Sequence, residues 1–150
     1  MKKLMSAVWA IFATTLDALN LFSNDQAITA TANSTNVVDQ GDGFFDGSCR
    51  TVGVFVTETF TLLTSLTISL HSDSVEAMST NAAVFTLPAI TLASGGLNAG
   101  KYIEIPIPVQ ADRYLRMTYT VVGTNPGAGK ITAGIIHDSG TPTAFRNGNL

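Results

Sequence analysis

Residues 102–137 read YIEIPIPVQADRYLRMTYTVVGTNPGAGKITAGIIH, and the phase of this stretch decides the fold. Ile103, Ile105, Ile107 and Val109 fall on one side of an extended chain, and Tyr102, Glu104, Pro106 and Pro108 on the other. Leu115, Met117, Tyr119 and Val121 then alternate with Tyr114, Arg116, Thr118 and Thr120. Ile131, Ala133 and Ile135 alternate with Thr132, Gly134 and Ile136. Apolar residues at every second position set one face of a strand against a core. Pro106 and Pro108 have no N–H to give a ladder, so the first of these strands is expected at a sheet edge or bulged. The turn TNPGAGK (124–130) joins two such runs and reads as a hairpin loop.

The same period continues upstream. Val52, Val54 and Val56 share a face in TVGVFVTET (51–59), and Leu66, Ile68 and Leu70 do so in LTSLTISLHS (63–72). VFTLPAITL (84–92) is a further strand candidate, broken at Pro88. Gly- and Asp-rich turns separate the runs: DQGDGFFDG (39–47), SGGLNAGK (94–101) and DSGTP (138–142). Many short strands at this spacing predict an all-β sandwich or barrel.

The beginning of the chain differs. MKKLMSAVWAIFATTLDALNLF (1–22) carries Leu4, Val8, Phe12, Leu16 and Leu19 at steps of four, four, four and three, with Trp9 beside them. That is the spacing of an amphipathic helix. Polar residues interrupt it, so it does not read as a spanning helix, which needs about 20 predominantly apolar residues. The basic start and apolar run also resemble a signal peptide. However, the stripe keeps its phase through Leu16 and Leu19, past any plausible cleavage point. The expectation is a retained helical or extended arm over 1–23, docked through Trp9 and Phe12 on a neighbouring subunit or on the sandwich. The β domain would then span 24–142 and a tail without periodicity 143–150.

Composition limits the function. The 150 residues carry a formal net charge of −3 with 13% charged residues, and only Lys2 and Lys3 among the cations are adjacent. A nucleic-acid binder would show a basic patch, so none is expected as a partner, nor is a membrane. The single cysteine, Cys49, excludes an internal disulfide and reads as a small buried hydrophobe. His71 and His137 each close a strand run, and nothing places either beside Cys49. Asp39, Asp42 and Asp46 do not have the alternating spacing of an EF-hand calcium loop; they read as turn residues that bond their own backbone. GTNPGAGK (123–130) fails the phosphate-loop pattern and leads into a strand rather than a helix. Glu58, Glu76 and Glu104 show no paired-carboxylate arrangement for glycoside hydrolysis. No catalytic residue, cofactor or metal ligand is therefore assigned, and the protein is not expected to be an enzyme. A mean hydropathy of +0.28 implies a surface that contacts other chains.

Two segments carry a family likeness. STNVVDQGDG (34–43) resembles the start of the small capsid cement, or decoration, proteins of certain tailed bacteriophages. GLNAGKYIEIPIPVQADRYLRMTYTVVGTNPGAGKITAGI (96–135) resembles their succession of a glycine turn, a strand ending near proline, an RYLR strand, a Gly-Thr turn and a closing TAG strand. LDALNLFSNDQAITATA (16–32) is a weaker third segment. Gln40 stands where an apolar residue is usual, and residues 1–15 look like an addition ahead of the family's start. The resemblance implies a jelly-roll β-sandwich and a non-catalytic homodimer or homotrimer, made in the host cytoplasm. It would sit on the virion exterior, bound to the major capsid protein at junctions between capsomers. The residues expected at interfaces are Leu4, Val8, Trp9, Phe12, Leu16 and Phe22 of the arm, together with Arg113 and Arg116. Each arginine can be read as part of a solvated strand face or as half of an intersubunit ion pair with an acidic loop. A host-surface or glycan-binding module displayed on the virion, using Tyr102 or Tyr114 as a platform, is the alternative.

Overall fold

The computed structural model describes residues 16–41 and 50–137. Those residues form two antiparallel sheets packed face to face, a β-sandwich without an α-helix among the described residues. The first sheet has the order β1 (Leu16–Ala27), β10 (Lys130–His137), β4 (Arg50–Glu58), β8 (Tyr102–Pro106). The second has the order β2 (Ala32–Asn33), β9 (Tyr114–Gly123), β5 (Leu63–Asp73), β6 (Ala82–Thr86). Two short strands extend it: β3 (Val38–Asp39) pairs with β9, and β7 (Ile90–Thr91) pairs with β5.

The alternating residues are the ones that fill the core. Val52, Val54, Leu66, Ile68, Leu70, Ile105, Leu115, Met117, Tyr119, Ile131 and Ala133 are all fully buried. β8 is an edge strand, as its prolines require, with Ile105 turned inward and Glu104 exposed. The run around Pro88 divides into β6 and β7, because Pro88 cannot supply the N–H that would continue the ladder.

Two expectations are corrected. The helical spacing does not hold across Leu16–Leu19: residues 16–27 are β1, and the expected boundary between residues 23 and 24 falls inside that strand. The stretch from Leu16 to Leu21 opposes only the stretch from Ile136 to Gly134, so β1 is strongly bulged. A bulge shifts the alternation out of step, and steps of three and four residues between apolar positions then imitate a helix. The part of that stripe within residues 1–15 lies outside the described residues.

The second correction concerns TNPGAGK. It is not a hairpin loop, because β9 belongs to one sheet and β10 to the other. The connection from β4 to β5 crosses between the sheets at the same end, and the two crossings are bonded together. The Thr61 N–H donates to the Ala128 carbonyl (3.1 Å) and the Ile28 N–H to the Gly129 carbonyl (3.0 Å). Phe60, only 1% exposed, plugs the sandwich beneath this corner.

Candidate functional site

The residues expected at interfaces divide into three groups. Leu4, Val8, Trp9 and Phe12 lie outside the described residues. Leu16 pairs with Ile136 at the start of β1. Phe22 is buried completely in the core between the sheets. Its expected interface role is corrected on that ground: once β1 enters the sandwich, Phe22 is committed to the chain's own interior.

Arg113 has its acidic partner in the same chain. Its Nε lies 2.7 Å from Asp39 Oδ1 and its Nη2 2.8 Å from Asp39 Oδ2, a bidentate pair joining β3 to the start of β9. Asp39 also accepts the Gly41 N–H at 2.8 Å, the local turn bond expected of DQGDG. The Arg113 guanidinium and then the Gly41 amide hold the Asp39 carboxyl down at about 2. The pair is half-exposed, so solvent screening leaves it little weight in stability. It does fix the direction of Arg113, which also lies over the Tyr114 ring at 5.2 Å. Arg116 stands opposite His71 in the β5–β9 ladder, and its Nε is buried without a hydrogen-bond partner among the described residues. His71 itself is held through Nδ1, 3.0 Å from the Asn81 carbonyl.

The tyrosines named for a glycan platform are both engaged within the chain. Tyr102 stacks on Phe55, with ring centroids 4.7 Å apart, and its hydroxyl donates to Glu104 Oε1 at 2.9 Å. Tyr114 lies under Arg113. Beside the β8 edge runs an open groove of about 410 Å³, lined by Leu87, Pro88, Ile90, Lys101, Tyr102 and Ile103 among others. Leu19, Leu62 and Val109 are large apolar side chains that remain well exposed. The described residues include no cluster of three or more His, Cys, Asp or Glu arranged to hold a metal ion, and no helix long and apolar enough to cross a membrane.

Sequence reasoning overlooked Asp73. This residue ends β5 with 2% exposure, and its carboxylate accepts backbone N–H groups from Val75 (3.1 Å), Thr80 (2.6 Å) and Asn81 (3.0 Å). One side chain thus organises the whole 74–81 loop, in which Met78 and Asn81 adopt positive φ. Its only sequence signal is an Asp at the head of a Ser- and Asn-rich stretch, which is also how an ordinary turn looks. The amide donors, Asn81 first, hold the Asp73 carboxyl below its usual value of 3.8. A depressed carboxylate stabilises the fold fully above the unfolded-state pKa, and that contribution is lost as pH falls through the folded value. Urea titrations should therefore show the midpoint falling as pH drops below about 4. Asp73→Asn should lower the midpoint at neutral pH and converge on the wild type in acid. A constant gap at all pH values would show that the ionised form has no special role.

The sandwich and its loops find a match among known families. A family model described as Bbp16 matches residues 22–135, from the bulged half of β1 through both sheets to β10. No curated protein matches the chain.

Proposed function

The chain belongs to the Bbp16 family, a bacteriophage-related family, and on that premise we propose that it is a non-catalytic virion protein of the jelly-roll decoration type. It binds the outside of a tailed-phage head and cements contacts between capsomers of the major capsid protein. The family match over both sheets carries this reading. The fold supports it: a two-sheet body cross-braced by Tyr119 and Ser23, with well-exposed apolar side chains such as Leu62 and Val109 on its surface.

The mechanism is linkage. Packaged DNA presses the shell outward and tends to separate capsomers. A protein that binds only across assembled junctions stabilises the assembled state by mass action. Self-association as a dimer or trimer places several binding surfaces on one particle, and their effects multiply through high local concentration. Closed cyclic symmetry is the usual form of such self-association.

Virions purified through a density gradient, washed and resolved by gel electrophoresis test the reading. The chain should remain with full heads, and heads stripped of it should release DNA at lower temperature. Its absence from washed particles would overturn the proposal.

A further inference from the structure

The outer face of the second sheet carries an ordered array of hydroxyls. Leu66, Ile68 and Leu70 of β5 and Leu115, Met117 and Tyr119 of β9 point into the core, so the residues between them point away from it. The register aligns Asn33, Thr118, Ser69 and Thr86 in one row, one residue from each of β2, β9, β5 and β6. Two bonds hold the row: Thr118 Oγ1 donates to Asn33 Oδ1 at 2.9 Å, and Thr86 Oγ1 donates to Ser69 Oγ at 3.1 Å. Thr67 stands opposite Thr120 in the row on one side, and His71 stands opposite Arg116 in the row on the other. The two carboxylates nearest this end of the sheet are already engaged. Asp39 pairs with Arg113, and Asp73 receives the N–H groups of Val75, Thr80 and Asn81. The Arg116 guanidinium is left without an acidic partner among the described residues, and its Nε is buried with no hydrogen bond. A cation in that state gains from an incoming carboxylate, which can bond it through two oxygens. His71 adds an acceptor. The Asn81 carbonyl can only accept, so His71 Nδ1 carries the proton and Nε2 of the neutral ring accepts.

We propose that this face binds an acidic saccharide, with the sugar carboxylate on Arg116 and the sugar hydroxyls on His71 and along the Thr–Ser rows. The row of four spans three strand spacings, roughly 14 Å, the length of a trisaccharide. Hydroxyl and amide groups that both donate and accept match a ligand whose own groups do the same. An acidic peptide is the poorer fit. β5 and β9 are interior strands with neighbours on both sides, so no peptide strand can be added there, and the rows offer hydroxyls in place of apolar contacts. This inference stands apart from capsid binding, since it needs no contact with the major capsid protein.

Titration of the isotope-labelled full-length chain with trigalacturonate, followed through its backbone amide signals, tests the proposal. Saturable shifts should cluster at Thr67–His71 of β5 and Arg116–Thr120 of β9. Galactotriose, which lacks the carboxylates, should bind at least about ten-fold more weakly, the loss expected for one charge-assisted pair. Arg116→Gln should lose affinity for trigalacturonate by the same factor. If that variant folds poorly, Thr67→Val with Thr120→Val keeps the β-branched shape that strands favour and should weaken trigalacturonate several-fold. Full affinity in either variant, or an absence of shifts on this face, would overturn the proposal. Equal binding of tetraglutamate would assign the face to an acidic peptide, and equal binding of acetate would reduce it to a simple anion site; both would overturn it as well.

Discussion

Gly129→Ala is expected to destabilise the protein by about 3 kcal/mol or more, combining backbone strain with overpacking. Gly129 has φ of +141°, a conformation open essentially to glycine. A methyl group there would overlap the near edge of the Phe60 ring, closer than real Cβ contacts come. Phe60 cannot give way, because it is buried in the core beneath the corner where both inter-sheet crossings meet. At this chain length, about 3 kcal/mol corresponds to a fall in Tm of about 6–12 °C. Two controls separate the causes. Gly100 also has positive φ (+88°), but a methyl group there would have no atom within 4 Å, so Gly100→Ala isolates strain and should cost about 1 kcal/mol. Gly127 has ordinary φ, and a Cβ there meets Leu62 Cδ1 at 3.1 Å, the end of a well-exposed side chain, so Gly127→Ala should be nearly neutral. Equal melting curves for Gly129→Ala and Gly100→Ala would remove the Phe60 contact from the explanation.

That corner also shows where a sequence is legible and where it is not. Alternation identifies a strand and its inward face, because burial acts on each residue separately. Val52, Val54 and Val56 and the Ile131–Ile135 run are plain for this reason. Alternation does not say which sheet a strand joins. TNPGAGK has hairpin composition, but the strand that follows it pairs with β1 and β4, and the loop is bonded to residues 28 and 61 where it crosses. Bulges cause the other failure. β1 pairs through several register shifts, so its inward residues, Phe22 and Ser23, are consecutive and obey neither period. Among the expected interface residues, Arg113 is visible in the sequence as a charge on a strand face. Its partner Asp39 is visible as a turn residue. Their pairing across 74 positions of sequence is set by β3 lying against β9, which no local pattern encodes.

Tyr119→Ala should be the most damaging single side-chain truncation, at about 3–5 kcal/mol for a buried aromatic. Tyr119 leads the fully buried side chains in volume and lies between the sheets. Its hydroxyl does more than fill space. Ser23 donates its one hydroxyl proton to Gln26 Oε1 (2.7 Å), so at the 2.7 Å contact between Ser23 Oγ and the Tyr119 hydroxyl it is Tyr119 that donates. Gln26 in turn accepts the Thr35 N–H (3.0 Å) and donates to the Asn33 carbonyl (2.8 Å). The chain of bonds therefore runs from β9 in one sheet, through β1 in the other, to the 33–35 segment. Tyr119→Phe keeps the volume and removes only the donor. Ser23 retains its bond to Gln26, so the loss should be about 1 kcal/mol, that of one net hydrogen bond. A double-mutant cycle with Ser23→Ala should return a coupling of about 0.5–1.5 kcal/mol, and a coupling near zero would mean the bond contributes nothing to folding. Alkaline titration gives an independent check. Burial raises the Tyr119 pKa well above its usual value, so the unfolded chain releases the proton first. The phenol's contribution is present in full below about pH 10 and is lost as pH rises beyond it. Tyr102 titrates the same way for reasons of burial and its bond to Glu104. Tyr119→Phe should therefore reduce the alkaline loss of stability without abolishing it, and Tyr119→Phe with Tyr102→Phe should reduce it further, leaving the part carried by Lys130, whose pairs with Glu58 and Asp25 raise its pKa.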